Sequence, residues 1–233
     1  MKLKFDDYAG DYDAALQQGL SVTGEGKEFF ARARLQWLRG VLDRRGVQVS
    51  RVLDFGCGTG SATPFLLDVL GADSVLGVDV SERSLETARE AWHGLPARFL
   101  LPEQASQESD FESGFDLAFC NGVFHHIAPA LRREAVGFCR GALKDGGLFS
   151  LWENNPWNPG TRYVMGRCPF DDDAITIAAP QARRLLNEGG FRVERTDFLF
   201  LFPRALAALR PIEAHLARWP LGAQYGVLSS KSS

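Results

Sequence analysis

The sequence predicts one α/β domain built on a doubly wound, mostly parallel sheet with helices on both faces. Segments with strand patterning alternate with segments of helical patterning, and a glycine-rich turn follows the first predicted strand. The chain has 233 residues, of which 45% are hydrophobic and 24% are charged, close to the averages of globular domains. A chain of this length can bury the core of one such domain.

A helix is predicted from Glu28 to Leu42, because its apolar residues recur at helical spacing. The first strand follows and ends in the run Val52-Leu53-Asp54-Phe55-Gly56-Cys57-Gly58-Thr59-Gly60. Glycines at alternate positions indicate a tight turn, since glycine reaches positive φ cheaply and has no Cβ to keep a ligand from the backbone. The run therefore predicts a nucleotide-binding turn, in which N–H groups at the start of the next helix face the ligand.

The remaining elements follow in alternation. Helices are predicted at 62–70, after a Ser81 cap, at 131–143 and at 181–187, and strands at 74–79, 97–101, 115–120, 148–152, 191–202 and 224–229. A turn is predicted at 144–147, before the fifth strand. Near the end, 203–219 carries an apolar stripe among arginines, which predicts a helix packed on the sheet, with a membrane-surface helix as the minor alternative.

The glycine spacing separates two kinds of nucleotide site. The dinucleotide fingerprint is G-x-G-x-x-G, whereas Gly56, Gly58 and Gly60 give G-x-G-x-G. Asp54, just before the turn, would repel a pyrophosphate but suits a ligand that carries an ammonium group. Asp79 ends the second strand, where a carboxylate can accept hydrogen bonds from both hydroxyls of a ribose.

These two motifs resemble the first two motifs of the class I S-adenosylmethionine-dependent methyltransferases. Later segments resemble the same family in order, namely Phe115-Asp116-Leu117 leading to Asn121-Gly122-Val123-Phe124-His125-His126-Ile127, then Leu143-Lys144-Asp145-Gly146-Gly147-Leu148, and Gly189-Gly190-Phe191. The resemblance covers the chain from about Glu28 onward. It implies a Rossmann-like sheet of seven strands, whose seventh strand inserts antiparallel beside the sixth.

The resemblance implies S-adenosylmethionine as the cofactor and S-adenosylhomocysteine as its product. It implies cofactor contacts at the carboxyl edge of the sheet from Asp54, Gly56, Cys57, Gly58, Gly60, Asp79, Val80 and Asn121. Many relatives carry an acid after the third strand that meets the adenine. This chain has Leu101-Pro102-Glu103-Gln104-Ala105 there, so Glu103, Gln104 or a backbone amide could make that contact, and a plain surface loop is the alternative.

In relatives, a leading segment often folds over the cofactor as a lid. The resemblance therefore implies a lid over residues 1–27, with Tyr12 or Tyr8 closing the site, and a methyltransferase domain over 28–233. The alternative for the leading segment is a frayed terminus.

Methyl transfer from a sulfonium requires that the nucleophile, the methyl carbon and the sulfur align at about 3–3.5 Å. A hydroxyl acceptor also needs a base, and His125 and His126 follow the fourth strand at the edge where ligands bind. Only one of two adjacent side chains should face the pocket, and we place the base at His125 ahead of His126. The alternative is that one histidine caps the following helix and the other packs against it.

The segment after the fifth strand is rich in aromatic and amide side chains. In the family this region helps to form the acceptor pocket, which implies acceptor contacts from Trp152, Asn154, Arg162 and Tyr163. The alternative is a proline-stiffened loop whose tryptophans fill the core.

Composition excludes several classes of function. The formal net charge of −3 provides no broad basic field for a nucleic acid, so we expect a small-molecule acceptor. No apolar run reaches the ~20 residues that span a bilayer, and the Met1-Lys2-Leu3-Lys4-Phe5 start lacks a secretory core, which predicts a cytoplasmic protein without integral membrane association. Four scattered cysteines suggest neither zinc nor a redox site. Consecutive side chains diverge, so Asp171-Asp172-Asp173 predicts a solvated turn rather than a metal site.

The leading hypothesis is thus a metal-independent methyltransferase that acts on a hydroxyl or amine of a small molecule. Its alternatives are an NAD(P)-dependent oxidoreductase and a protein that binds S-adenosylmethionine without turnover. The acceptor and the oligomeric state stay open at this point.

Overall fold

The computed structural model describes residues 23–109, 111–112, 114–167 and 174–232. Within these ranges seven strands form one sheet in the order β3-β2-β1-β4-β5-β7-β6. The strands are β1 (Arg51–Phe55), β2 (Ser74–Val78), β3 (Ala97–Leu100), β4 (Phe115–Asn121), β5 (Leu143–Asn154), β6 (Phe191–Leu199) and β7 (Gln224–Lys231). Strands β1 to β5 pair in parallel, and β7 runs antiparallel to both β5 and β6. The predicted fold class is confirmed, including the antiparallel seventh strand.

The described helices alternate with the strands. They are α1 (Lys27–Asp43), α2 (Thr63–Asp68), α3 (Glu82–Ala91), α4 (Pro102–Ala105), α5 (Arg132–Ala142), α6 (Pro159–Met165), α7 (Ala179–Glu188) and α8 (Arg210–Leu216), with 3₁₀ helices at Pro129–Leu131 and Arg204–Leu209. The predicted cap of α3 is present, because the Ser81 hydroxyl accepts the Ser84 N–H at 3.2 Å.

Helices cover both faces of the sheet. Leu35 and Leu38 of α1, with Leu66 of α2, pack on one face against β1, β4 and β5. Val136 of α5 and Ala182 of α7 pack on the other face. Successive side chains of a strand point to opposite faces, so each central strand contributes to both clusters. This packing leaves the carboxyl ends of the parallel strands open.

Register brings the predicted acids to one edge. Asp54 of β1 lies beside Gly77 of β2 and Phe119 of β4, and Asn121 of β4 lies beside Trp152 of β5. Ligands of open α/β sheets bind at this carboxyl edge. The turn after β1, the tip of β2 and the loop after β4 therefore meet in one place.

The segment predicted as a helix at 203–219 differs from the prediction. A 3₁₀ helix is followed by the short α8. Leu206, within the 3₁₀ helix, has non-helical backbone angles, and no residue of either helix is buried. Leu206, Leu209 and Ile212 are each about half exposed, at 47%, 40% and 48%. The prediction that this segment packs on the sheet is therefore wrong. Pro211 contributes to the break, since its ring cannot donate a backbone hydrogen bond to the preceding turn.

The strand boundaries that differ most from the prediction are the end of β6 and the start of β5. β6 ends at Leu199 rather than Phe202, because Phe200 adopts a φ of 67° in the left-handed region, which ends the strand. The predicted turn at 144–147 lies within the irregular start of β5, where the register with β4 shifts between Phe115 and Leu117.

Among the described helices, none is both long and apolar enough to cross a membrane.

Asn155 fastens the end of β5 to the segment before β7. Its side-chain N–H groups donate to the carbonyls of Gly222 at 2.8 Å and Pro220 at 3.1 Å. Its side-chain oxygen Oδ1 accepts the Trp157 N–H at 3.2 Å. Asn155 is 1% exposed, so its loss would leave the carbonyl of the buried Gly222 without this donor.

We expect Asn155→Ala to lower the free energy of unfolding by about 3 kcal/mol, because a buried side chain loses three hydrogen bonds and each contributes about 1 kcal/mol. Urea unfolding followed by circular dichroism measures the change. Asn187→Ala is the control, since the side chain of exposed Asn187 accepts the Val193 N–H at a longer distance, 3.4 Å. Equal losses in both variants would show that Asn155 contributes no more than a surface contact.

Candidate functional site

The turn after β1 requires its three glycines for different reasons. Gly56, Gly58 and Gly60 have φ values of 72°, 53° and 72°. A Cβ on Gly56 would lie 2.3 Å from a Val123 methyl, and one on Gly60 would lie 2.8 Å from the Trp92 ring. A Cβ on Gly58 would meet no atom of the described residues within 4 Å. Gly58 therefore presents bare backbone to open space, as a closely approaching ligand requires.

The N–H groups of the turn bind the protein itself. Gly56 and Cys57 both donate to the Val78 carbonyl, at 2.7 and 3.1 Å, and Gly60 donates to the Cys57 carbonyl at 2.9 Å. Gly58 donates to the Asp79 carboxylate at 2.8 Å. The expected row of ligand-facing N–H groups is thus largely taken up by internal bonds. Such a turn is a poor cradle for a pyrophosphate, which needs several donors.

Two carboxylates flank the turn in different environments. Asp79, half-buried at the tip of β2, also accepts the Ser81 N–H at 2.9 Å. Asp54, at 2% exposure, is buried. Burial, and to a lesser extent the nearby Asp79 charge, raises the pKa of Asp54 from 3.8 to about 7. Asp54 is therefore a half-ionised acid near neutral pH, and a bound cation would favour its charged form.

Two buried oxygens at this edge have no hydrogen-bond partner in the described part of the chain. They are Asp54 Oδ2 and Asn121 Oδ1. A buried acceptor without a donor costs about 1–3 kcal/mol, more when it is charged. A ligand that brings several N–H donors on a positive charge would satisfy both oxygens. This pair of acceptor oxygens therefore fits the ammonium end of a sulfonium amino acid.

Both oxygens belong to residues that line one cavity of about 270 Å³, near the lower end of the ~300–1,000 Å³ typical of small-molecule sites. Its floor is the turn after β1, one wall is the tip of β2, and the other wall is the loop after β4. Besides Asp54 and Asn121, the predicted cofactor residues in its lining are Gly56, Cys57, Gly58, Asp79 and Val80.

The other predicted cofactor residues lie elsewhere. Gly60 is buried behind the turn against Trp92. Glu103 is exposed on α4, and the Gln104 side chain accepts the Leu101 N–H at 3.0 Å, so Pro102 is the residue of that segment in the cavity wall. Tyr12 and Tyr8 lie outside the described residues.

Cys57 packs behind the turn with Leu85, Ala88 and Phe99. Burial raises the pKa of its thiol well above the ordinary value, with smaller contributions from Asp54 and Asp79. The thiol therefore stays protonated and is not a nucleophile at neutral pH.

The two histidines occupy different places. The His126 side chain lines the cavity and is partly exposed. His125 is 4% exposed, lies outside the cavity lining, and has its Nδ1 2.6 Å from Glu153 Oε2. The two ring centroids are 4.0 Å apart. His126 is thus the imidazole at the cavity wall, and His125 lies behind it.

The predicted acceptor residues do not come together. Trp152 is fully buried, donates its indole N–H to Ser150 and packs edge-on against Trp37 at 5.0 Å between rings. Asn154 accepts the Gln224 side-chain N–H at 3.1 Å. Arg162 and Tyr163 are exposed on α6. Trp152 therefore fills core, as the alternative interpretation proposed.

Among the described residues, no group of three His, Cys, Asp or Glu side chains could hold a metal ion. The Asp171-Asp172-Asp173 run lies outside the described residues.

Sequence reasoning missed three residues around the site. Glu153 binds the loop after β4, Trp92 donates its indole N–H to the Thr59 carbonyl at 3.0 Å, and Val123 abuts Gly56. An acidic residue at the end of a buried strand was the signal that singled out Asp54 and Asp79. Glu153, near the end of β5, carries the same signal.

Comparison with known proteins agrees with this geometry. A family model described as "Methyltransferase domain" matches residues 53–149, which include the glycine turn and β1 to β4. The chain is 32% identical over 154 residues to the ubiquinone biosynthesis O-methyltransferase of Bordetella avium, and 26% identical over 166 residues to the mRNA cap guanine-N(7) methyltransferase of Caenorhabditis elegans. These matches cover 58% and 61% of this chain, but only 58% and 43% of the two relatives.

Among solved structures, an S-adenosylmethionine-dependent methyltransferase from Thermotoga maritima superposes with a TM-score of 0.69 at 20% identity, covering 98% of each chain. A likeness at this identity shows that the fold is shared.

Gly58→Ala should weaken binding of S-adenosylhomocysteine at least 10-fold, because the added methyl enters the cavity where the ligand approaches the backbone. Calorimetric titration measures the affinity. Gly46→Ala is the matched control: Gly46 also has positive φ, at 65°, and open space around its Cβ position, but it lies in the turn after α1. Both variants should lose about 1–2 kcal/mol of stability from the backbone strain. An equal affinity in the two variants would show that no ligand contacts Gly58.

Binding of S-adenosylhomocysteine should tighten as pH rises from 6 to 8, because the pKa of Asp54 is about 7 and only the carboxylate attracts the ammonium group. Asp54→Asn should bind at least 10-fold more weakly at pH 8 and lose this part of the pH dependence. Calorimetry at three pH values on both proteins gives the comparison, and parallel pH profiles would contradict it.

The contribution of Asp54 to the stability of the fold should fall as pH rises, whereas the affinity for S-adenosylhomocysteine should increase. The folded state holds the Asp54 proton more tightly than the unfolded chain, so this group's contribution to stability falls as pH rises from about 4 to 7. The melting temperature of Asp54→Asn should therefore exceed that of the wild type by a larger margin at pH 8 than at pH 5. Thermal unfolding of both proteins at both pH values measures this margin. A constant difference would contradict this.

Proposed function

Because the chain belongs to the class I S-adenosylmethionine-dependent methyltransferases, we propose that it transfers a methyl group from this cofactor to a hydroxyl or amine of a small-molecule acceptor. One observation carries the proposal. Two buried oxygens that have no hydrogen-bond partner among the described residues, Asp54 Oδ2 and Asn121 Oδ1, belong to residues that line the same cavity as the backbone of Gly58.

We assign the two ends of the cofactor to the two strand tips. Asp54 and Asn121 would accept hydrogen bonds from the ammonium group of the methionyl part. The Asp79 carboxylate, held by Gly58 and Ser81, would accept from the ribose hydroxyls. Val80, at 51% exposure, and Pro102 would offer apolar contact to the adenine.

The bound cofactor supplies a methyl group on a positively charged sulfur, which is already a good leaving group. The main task of the protein is therefore to hold the acceptor in line with that methyl. When the acceptor is a hydroxyl, a base must also take its proton, and we now assign this role to His126 because it lines the cavity. His125, the first choice from the sequence, faces Glu153 instead.

A small-molecule acceptor is supported by the net charge of −3, which does not favour a nucleic acid backbone. The B. avium relative is named an O-methyltransferase and the C. elegans relative an N-methyltransferase, so oxygen and nitrogen acceptors both stay within the proposal. The lid over residues 1–27 also stays a prediction.

The dinucleotide alternative finds no support in the geometry. The N–H groups of Gly56, Cys57, Gly58 and Gly60 are taken up by protein acceptors, and two carboxylates stand where a pyrophosphate would lie.

Incubation with S-adenosylmethionine labelled in its methyl group, over separate pools of alcohols, phenols, amines and carboxylic acids, tests the proposal. We expect label in a low-molecular-mass product of one pool, and His126→Ala should lower that turnover about 100-fold or more with a hydroxyl acceptor. His93→Ala is the control, because exposed His93 lies on the surface after α3.

Two results would contradict the proposal. Calorimetric binding of NAD but not of S-adenosylhomocysteine would favour an oxidoreductase. Tight binding of S-adenosylhomocysteine with no labelled product from any pool would favour a binding protein without turnover.

A further inference from the structure

A second buried carboxylate lies beside the site. Glu153, next to the end of β5, is 1% exposed, and both of its oxygens accept hydrogen bonds from the loop after β4. Oε1 accepts the Phe124 N–H at 2.7 Å, and Oε2 lies 2.6 Å from His125 Nδ1. A carboxylate so deeply buried is tolerated only when its oxygens are paired.

The loop is also held from its other side. The His125 carbonyl accepts the Ile175 N–H at 2.8 Å. Arg132 donates its Nε to the Ile127 carbonyl at 3.0 Å and a terminal nitrogen to the Ile175 carbonyl. Besides His125, the titratable groups that act on Glu153 are Arg132, Tyr225 and Cys120. Glu153 thus lies at the centre of a buried network behind the loop.

The loop that this network holds forms one cavity wall. Asn121, Gly122, Val123, His126 and Ile127 line the cavity, whereas the two residues that Glu153 binds, Phe124 and His125, point away from it. The wall stands directly against the glycine turn, since a Cβ on Gly56 would collide with Val123. The position of the loop therefore sets the gap between the two cavity walls.

We propose that Glu153 is a positioning residue for the methyl transfer, and this inference rests on the function proposed above. By accepting from Phe124 and from His125 Nδ1–H, it holds the loop that presents Asn121 and His126, and it fixes the His125 proton on Nδ1. The lone pair of a neutral His125 then lies on Nε2. The His125 ring, which is tilted by 50° to the His126 ring with 4.0 Å between the centroids, is thereby held in one orientation and one tautomer.

Glu153→Gln tests the proposal because the site demands two acceptor oxygens. A glutamine offers one oxygen and one NH₂ group, so with its oxygen on Phe124 N–H it must donate to His125 Nδ1. We expect the His125 proton to move to Nε2 and the affinity for S-adenosylhomocysteine to fall about 10-fold. The tautomer is measured by ¹⁵N chemical shifts of the imidazoles, assigned with single His→Gln variants, and the affinity by calorimetry.

Asp116→Asn is the matched control. Asp116 also accepts two backbone N–H groups, from Ser50 at 3.0 Å and Arg51 at 2.8 Å, but at the opposite end of β4. This variant should leave both the His125 signal and the affinity within twofold of the wild type. Glu153→Asp keeps two acceptor oxygens and should keep the His125 proton on Nδ1. This variant provides the test if Glu153→Gln does not fold.

Three results would overturn the inference: a wild-type His125 with its proton on Nε2 at pH 8, a Glu153→Gln protein with wild-type tautomer and affinity, or an equal loss of affinity in Asp116→Asn. None of these measurements uses an acceptor. A lack of methyl transfer to any acceptor would therefore contradict the proposed function. The role of Glu153 would still be decided by the His125 tautomer and the affinity for S-adenosylhomocysteine.

Discussion

The site depends on the 2.8 Å hydrogen bond from the Gly58 N–H to the Asp79 carboxylate. It joins the turn after β1 to the tip of β2, so that the two strand ends form one surface. The bond requires a backbone with positive φ at Gly58, and it uses an N–H that a phosphate ligand would otherwise take. One interaction thus shapes the cavity and selects against dinucleotides.

The same arrangement carries a cost in stability. Asp54 is buried beside a second acid, and neither burial nor that neighbour favours its charged form. A protein selected only for stability would place an apolar residue there. Unsatisfied groups of this kind recur at functional sites, where the ligand completes the hydrogen bonds that the fold leaves open.

Much of the fold was predictable because it is encoded locally. The short apolar runs of β1 and β4, the glycine turn and the Ser81 cap each depend on a few neighbouring residues. The left-handed Phe200 was not predictable, because packing rather than local pattern decides it. Phe200 is held by its ring contact with Phe30, 4.9 Å away between centroids and far away in sequence.

The cavity was predictable in its cofactor half and not in its acceptor half. Asp54 and Asp79 stand at strand ends, where the topology alone brings them together. The position of His125 behind the cavity wall involves a contact with Glu153, which lies 28 residues further along the chain. The burial of Trp152 depends on Trp37, on a helix that precedes the sheet. Side-chain direction at such places follows from tertiary packing.

The place of β7 between β5 and β6 has a consequence for biogenesis. A nascent chain emerges from its N-terminal end, so β1 to β5 can assemble around the glycine turn before residues 224–231 leave the ribosome. Until then β6 has no strand beside it, and β5 offers an open edge to which another chain could add. The nascent protein thus passes through a stage in which its binding crevice is formed while its sheet is still vulnerable to aggregation.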